Sequence, residues 1–294
     1  MADIKYNKSE NIFAVFNYML LGFVAFVCFY PMLYVLLASF SENSLLMQHS
    51  GLLLTTRGFS VAAYNKVFNN PMILLGYRNT IFILVVGVLV CLTMTSIGAY
   101  FLSRKYVLFK KPIMMLIVFT MFFSGGMIPF YLNLRDLRLT NTHWGLIIPF
   151  AVSTYNLIIM RTSFATIPDS MTEAAIIDGA GHVQILVRIV LPLSKAIIAV
   201  MILYYGIGIW NSWFWASAIL RRRELYPLQV VLREILLQNT AMATSAGLDG
   251  VDQDAVAETI KYATIIVATV PVLCIYPFLQ KYFARGVMIG AIKE

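Results

Sequence analysis

Six apolar runs, each near or above the length that crosses a bilayer, leave this chain of 294 residues few ways to fold. They occupy positions 13–40, 79–102, 112–132, 143–160, 193–219 and 262–283. A helix needs roughly 20 predominantly apolar residues to traverse the hydrocarbon core. In lipid every backbone amide must find its partner within the segment, so runs of this kind are read as helices. Composition agrees, with 60% hydrophobic and 12% charged residues and a mean hydropathy of +0.79. Soluble domains hold about 45–50% apolar and about 25% charged residues, enough polar surface to face water. The reading is an all-α membrane protein with six transmembrane helices, forming one domain over 1–294. The first run follows Lys5 and Lys8. At about 27 residues it exceeds the 7–15 of a signal-peptide core, so it reads as a retained span.

Six spans put both termini on one side. The loop 103–111 carries Arg104, Lys105, Lys110 and Lys111, which suits the cytoplasm. The opposing short loop carries Arg135 and Arg138, and the outer segment 220–261 holds Arg221, Arg222 and Arg223, so the asymmetry is small. The chain is basic overall, with a net charge of +8, but no polar segment combines clustered cations with interleaved aromatics, which speaks against nucleic acid. Cys28, Cys91 and Cys274 lie inside apolar runs and suit packing. With His49, His143 and His182 they show no metal-ligand spacing.

The spans are nearly free of ionisable side chains; Lys195 lies within a turn of one span's start, where it can reach the interface. Membrane-embedded charges mark proton relays and ion paths, so their scarcity argues against a proton-coupled carrier. The polar residues that remain are neutral, among them Asn156, Tyr204, Tyr205, Trp210 and Asn211. Hydroxyls, amides and aromatic rings suit a neutral polyhydroxylated solute, and these five are the candidate solute-path residues. Interhelical hydrogen bonding and an interfacial aromatic belt explain any one of them as well. Ser124-Gly125-Gly126, with Pro129 beyond, interrupts the third span, as broken helices that line cavities do.

The segment 167–192, IPDSMTEAAIIDGAGHVQILVRIVLP, reads as two short helices with a turn. Ser170 to Glu173 fits a capping box. Ala174 and Ala175 present a low surface on which another protein can close. Gly179 and Gly181 stop the first helix through a left-handed turn. Val183, Leu186, Val187 and Val190 recur at helical spacing and give the second helix an apolar face. Pro192 then opens the fifth span.

Glu173-Ala174-Ala175, three residues, Gly179, nine residues, then Ile189-x-Leu191-Pro192 resemble the EAA loop of ABC importer permeases at its full spacing. The ending Gln280 to Gly286 followed by Gly290 to Glu294 is similar to the tails of maltose-type carbohydrate permeases, as are Asn141-Thr142 and Trp210-Asn211. Ser124 to Pro129 resembles the branch handling complex or plant-wall oligosaccharides. The likeness runs over nearly the whole chain. It implies a type I importer permease fold in the bacterial cell membrane, multi-pass, with both termini cytoplasmic. It also implies a homologous second permease, two copies of a cytoplasmic ATPase, an external solute-binding lipoprotein, and a sugar or oligosaccharide substrate. Glu173, Ala174, Ala175, Asp178, Gly179, Ile189, Leu191 and Pro192 would couple to the ATPase. Gly290, Ala291, Ile292, Lys293 and Glu294 would reach between the ATPase subunits.

The sequence contains no Gly-Lys pair and so no phosphate-binding loop. ATP and magnesium are therefore expected on a partner, with no cofactor, metal site or catalytic residue in this chain. Asp249 to Asp254 resembles a calcium loop, but its glycine and terminal glutamate are misplaced. Arg221 to Arg223 with Glu224 read as an exposed rim, with docking of a binding protein as the sharper idea. Permeases for a polyol, peptide or amino acid, a secondary transporter, and a membrane scaffold are the competing readings.

Overall fold

The computed structural model describes residues 8–245, 259–274 and 277. All regular structure among them is helical. The helices are α1 (Lys8–Ser39), α2 (Asn43–Met47), α3 (Ala62–Phe68), α4 (Pro71–Ser103), α5 (Lys110–Phe122), α6 (Met127–Asp136), α7 (Trp144–Ile147), α8 (Thr154–Phe164), α9 (Asp169–Ile177) and α10 (His182–Ile185). A π turn over Leu186–Val190 leads to α11 (Leu191–Leu193), α12 (Lys195–Trp210), α13 (Trp213–Ile219), α14 (Leu228–Ser245) and α15 (Thr259–Cys274).

Two helices, α1 from Ile12 and α4, are long and apolar enough to cross a membrane unbroken. Three helix pairs reach that length and apolarity only when taken together, each bent at a short break: α5 with α6 at 114°, α7 and its 3-10 extension with α8 at 50°, and the His182–Leu193 segment with α12 at 88°. The expected third span is thus broken where the glycines fall. Gly126 stands at φ +83°, a conformation that L side chains resist, and Phe123 is extended. Of the expected sixth span, 262–283, the structure describes α15 as far as Cys274, an apolar helix shorter than a full span.

The expected fifth span, 193–219, is corrected at both ends. Pro192 sits in α11 as part of the preceding segment, and the chain turns at Ser194 before α12 starts at Lys195. Past Trp210 the helix ends at Asn211, and α13 begins after Ser212. Neither break carries a glycine or proline, so apolarity alone joined the pieces.

The described chain divides into two compact units. The first comprises residues up to Asn70 with the stretch Glu234–Thr269. Its packed part is the end of α1, where Ala38, Leu46 and Leu53 are buried against Tyr34 and Tyr262. Tyr30 accepts a hydrogen bond from the Leu53 amide (2.9 Å), and Ser39 and Tyr64 hydroxyls bond at 2.8 Å.

The second unit comprises Pro71–Arg233 and the stretch from Val270. Helices α4, α8 and α12 form its centre. Cys91, Ala99 and Leu102 of α4 pack with Leu157, Met160 and Phe164 of α8 and with Val200, Met201 and Tyr205 of α12. A second cluster lies toward the start of α4, where Ile83 meets Leu134, Leu146, Ile147, Ala216 and Ile219. Gly145 permits that approach, since a Cβ there would run into the Leu139 carbonyl.

Candidate functional site

The segment between α8 and α12 is built onto the end of α4. α9 starts at Asp169 after Pro168, whose extended backbone begins the helix without a side-chain cap. The expected capping box from Ser170 to Glu173 does not form. The helix starts two residues earlier than that box requires, and Asp169 at its first turn is held by Lys105 (Nζ–Oδ2 2.5 Å). A carboxylate there also faces the positive end of the helix dipole. Lys105 holds the Asp169 carboxyl below the usual carboxylate range, and Asp169 raises Lys105 above the usual lysine value.

Arg104 is the second tether. Its Nη1 donates to Thr172 Oγ1 of α9 (2.9 Å), its Nη2 to the Phe164 carbonyl at the end of α8 (3.1 Å), and its Nε to Ser103 Oγ (3.1 Å). The guanidinium lies 5.1 Å from the Tyr100 ring centroid, and the Tyr100 hydroxyl bonds His182 Nδ1 at 3.1 Å. The residue directly after α4 thus touches the ends of α8 and α9, and Tyr100 in the last turn of α4 touches α10. A groove of about 530 Å³ between these parts is lined by Tyr100, Arg104, Asp169, Thr172, Glu173 and His182, among others.

The expected coupling residues separate into two sets. Glu173, Ala174, Asp178 and Gly179 are exposed together on and just after α9. Ala175, Ile189 and Leu191 instead pack against the α4–α8–α12 core, so Ala175 does not present the outward surface expected of it. Pro192 is exposed. Gly179 ends α9 at φ +82° as expected, whereas Gly181 stands at φ −72° and needs no glycine freedom. Its amide donates to Gln184 Oε1 (3.2 Å), which starts α10.

The apolar face expected on the second helix is also corrected. Ile185 and Val190 are fully buried and Leu186 nearly so, but Val183 and Val187 point outward. The π turn widens the helix between Leu186 and Val190, so spacing at 3.6 residues per turn no longer predicts the inner face. Met171, Ile176, Ile177, Val183 and Val187 are therefore apolar and exposed around the EAA residues, Ile177 at 85%. Their exposure, and the tethers from Arg104, Lys105, Tyr100 and Thr172, were not identified from sequence. The loop 103–111 registered there only as a set of positive charges.

Three of the five solute-path candidates meet at one cavity. Asn156, Tyr204 and Tyr205 line a space of about 460 Å³ with Cys91, Phe150, Ser153 and Trp215. Tyr205 is fixed within it: its hydroxyl bonds Thr95 Oγ1 (2.6 Å) and accepts from the Ser153 amide (3.1 Å). Ser153 in turn caps α8 by accepting from the Asn156 amide. Tyr204 is partly exposed and stacks with Tyr155, ring centroids 6.5 Å apart. Trp210 faces a different, apolar cavity lined by Leu84, Val88 and Ile207 among others, and its buried Nε1 has no hydrogen-bond partner. Asn211 is exposed beyond the end of α12. The tail residues Gly290 to Glu294 lie outside the described residues, as do Asp249 to Asp254.

No family model matches the chain. Protein LplC of Bacillus subtilis (strain 168) is 40% identical over 288 residues, covering 97% of this chain and 96% of that protein. The polygalacturonan/rhamnogalacturonan transport system permease protein YtcP of the same organism is 38% identical over 282 residues, covering 95% and 98%. Among solved structures, one chain of a bacterial ABC transporter involved in the import of the acidic polysaccharide alginate matches with a TM-score of 0.86. It is 36% identical, over 95% of this chain and 99% of that one.

Proposed function

The chain belongs to the permease subunits of ABC transporters that import sugars and oligosaccharides, and from that premise we propose that α9 is the element on which a separate ATPase acts. It is a membrane-embedded transport subunit rather than an enzyme. The observation that carries the proposal is the placement of Glu173, Ala174, Asp178 and Gly179, exposed on an element that Arg104 and Lys105 fasten to α4. An exposed apolar collar of Ile176, Ile177, Val183 and Val187 surrounds them, the kind of surface a partner covers.

In this reading two ATPase copies bind at the cytoplasmic face, one on this chain and one on a homologous second permease, with the termini on that same side. ATP and magnesium are bound and used in the ATPases. Closure of the ATPases moves α9, and the motion reaches three spans by separate routes. Arg104 and Lys105 pass it to α4, the Arg104 bond to the Phe164 carbonyl passes it to α8, and buried Ile185 and Val190 pass it through the common core to α12. Interiors packed this tightly transmit displacement and do not absorb it. The cavity at Asn156, Tyr204 and Tyr205 forms this subunit's side of the path, opened alternately to either face. An external lipoprotein delivers the oligosaccharide, and the tail Gly290 to Glu294 reaches the ATPase dimer.

The test is to co-express the chain with its genomic neighbours, purify by a tag on this chain, and reconstitute what is recovered. Recovery of a second permease and two ATPase copies, with ATP-dependent oligosaccharide uptake, is the expected result. Recovery of the folded chain alone from cells that make those neighbours overturns the proposal.

A further inference from the structure

The end of the second unit opposite α9 breaks the usual charge rule in a way that points to a ligand. Asn79 of α4 bonds the Glu224 and Tyr226 carbonyls (2.8 and 3.0 Å), while Arg104 bonds α9. At 1.5 Å per residue Asn79 and the end of α4 next to Arg104 are about 36 Å apart, a little more than the thickness of a bilayer core. Segments 133–143 and 220–233 therefore lie outside if α9 is cytoplasmic, so the inference rests on the function proposed above. They hold Arg135, Arg138, Arg221, Arg222, Arg223 and Arg233 against Asp136 and Glu224, and no lysine. Lysine and arginine normally concentrate on the cytoplasmic side. Within these two segments the cations are arginine alone, which suits planar bidentate recognition of carboxylate more than a general positive field.

The two segments are zipped together. Asn141 adopts the left-handed conformation (φ 60°), donates its amide to the Ile219 carbonyl (3.0 Å), and accepts from both the Arg221 and Arg222 amides at Oδ1 (3.0 Å each). Arg221 Nη2 donates to the Tyr131 hydroxyl (3.0 Å), a neutral partner that orients the guanidinium and leaves its charge unspent. Asp136 is engaged by the neighbouring Arg135. Among the described residues no carboxylate pairs with Arg138, Arg221 or Arg222. This rim borders the solute cavity. Phe130, next to Tyr131, packs its ring on Phe150 (5.7 Å) and Trp215 (4.7 Å), both of which line that cavity. The cavity lining itself contains no charged side chain.

We propose that Arg221 and Arg222 form an entry site that binds the carboxylates of an acidic, uronate-containing oligosaccharide. Such a solute needs counter-charge as it leaves water, and in the described part of this chain the rim supplies it next to an uncharged cavity. The permease named for polygalacturonan and rhamnogalacturonan and the transporter named for an acidic polysaccharide are similar to this chain over nearly all its length, which fits that chemistry.

The test uses the complete importer in lipid nanodiscs, arrested with a non-hydrolysable ATP analogue and without binding protein. Tri-galacturonate and its methyl ester, neutral but of equal length, serve as probes. In the Arg221→Gln/Arg222→Gln importer, tri-galacturonate is expected to bind about tenfold more weakly, with the ester unchanged. Equal weakening of both probes would mean that the rim only shapes the path, and would overturn the proposal. So would unchanged binding of both, or no tri-galacturonate binding by the parent importer. Unchanged probe binding with lost stimulation of the ATPase by loaded binding protein would make the rim a protein docking surface instead. A parent importer that takes up no sugar with ATP would sink the functional reading itself, a result distinct from failure of the rim alone.

Discussion

Gly179 has φ +82° with open space where a Cβ would stand, so the penalty for a side chain there is conformational and not steric. A β-branched residue in that region costs roughly 1–2 kcal/mol or more, enough to reshape the end of α9 without disturbing the core. Gly179→Val is expected to insert at normal abundance while ATP-driven uptake falls at least tenfold, and Gly179→Asn, which tolerates the left-handed region, to retain most of it. Normal uptake by the valine variant would contradict the role of this turn. Arg104 acts differently, since it holds α9 and is itself part-buried. Arg104→Ala removes charge-assisted hydrogen bonds to Thr172 and Phe164 and should cost about 2 kcal/mol of stability. Its sharper signature is ATP hydrolysis that continues while uptake is lost, read from both rates on one preparation.

In the Lys105–Asp169 pair the lysine is exposed and the aspartate half-buried, and the pair contributes little on its own. Asp169 titrates below its unfolded value, so the pair's contribution is present above about pH 4 and is lost as pH falls through the lowered value. Lys105 titrates above its unfolded value, so the contribution is present below about pH 10 and is lost as pH rises through the raised value. Lys105→Gln should therefore differ from the parent in Tm by a small amount that stays constant between about pH 5 and 9. A difference that grows or vanishes within that window would show that another group controls α9.

At the scale of elements, the apolar runs announced the spans because transfer into lipid depends on composition over a whole segment. Their interruptions were legible only where backbone chemistry is local. Ser124 to Gly126 declared the break after α5, whereas Ser194 and Asn211 end helices with residues that fit a helix interior almost as well. The EAA residues were legible as a pattern, but which of them faces a partner was not. The π turn changes the phase after Leu186, and Ala175 turns inward because α9 is drawn onto the core. The Arg104 tethers join positions 60 and 68 residues apart, a relation no spacing rule contains. The solute candidates fared likewise: Asn156, Tyr204 and Tyr205 meet, while Trp210, one turn and more along α12, faces away. Tyr205→Phe would leave the Ser153 amide without its acceptor and Thr95 without its partner, in a buried site. The expected loss is about 1–3 kcal/mol, measured as a lowered Tm of the purified importer, and an unchanged Tm would remove Tyr205 from the structural frame of the cavity.

For the whole molecule, burial says what the chain lacks alone. None of the most apolar window of α1 is buried, against 28% of that of α4. Apolar surface of that extent needs lipid or a second permease. The proposed coupling face likewise leaves Ile177 and Val183 exposed unless a partner covers them. The account stands on α9 being the surface that the ATPase grips. Ala174, exposed and small, is the place to ask, using Ala174→Cys in a chain whose Cys28, Cys91 and Cys274 are replaced by serine. With a maleimide–benzophenone photocross-linker attached to that cysteine in the co-expressed importer, the account predicts a single cross-linked product joining this chain to the ATPase, its yield changing when ATP is bound. Absence of that product in an importer that still transports, or a cross-link to the external binding protein in its place, would contradict it.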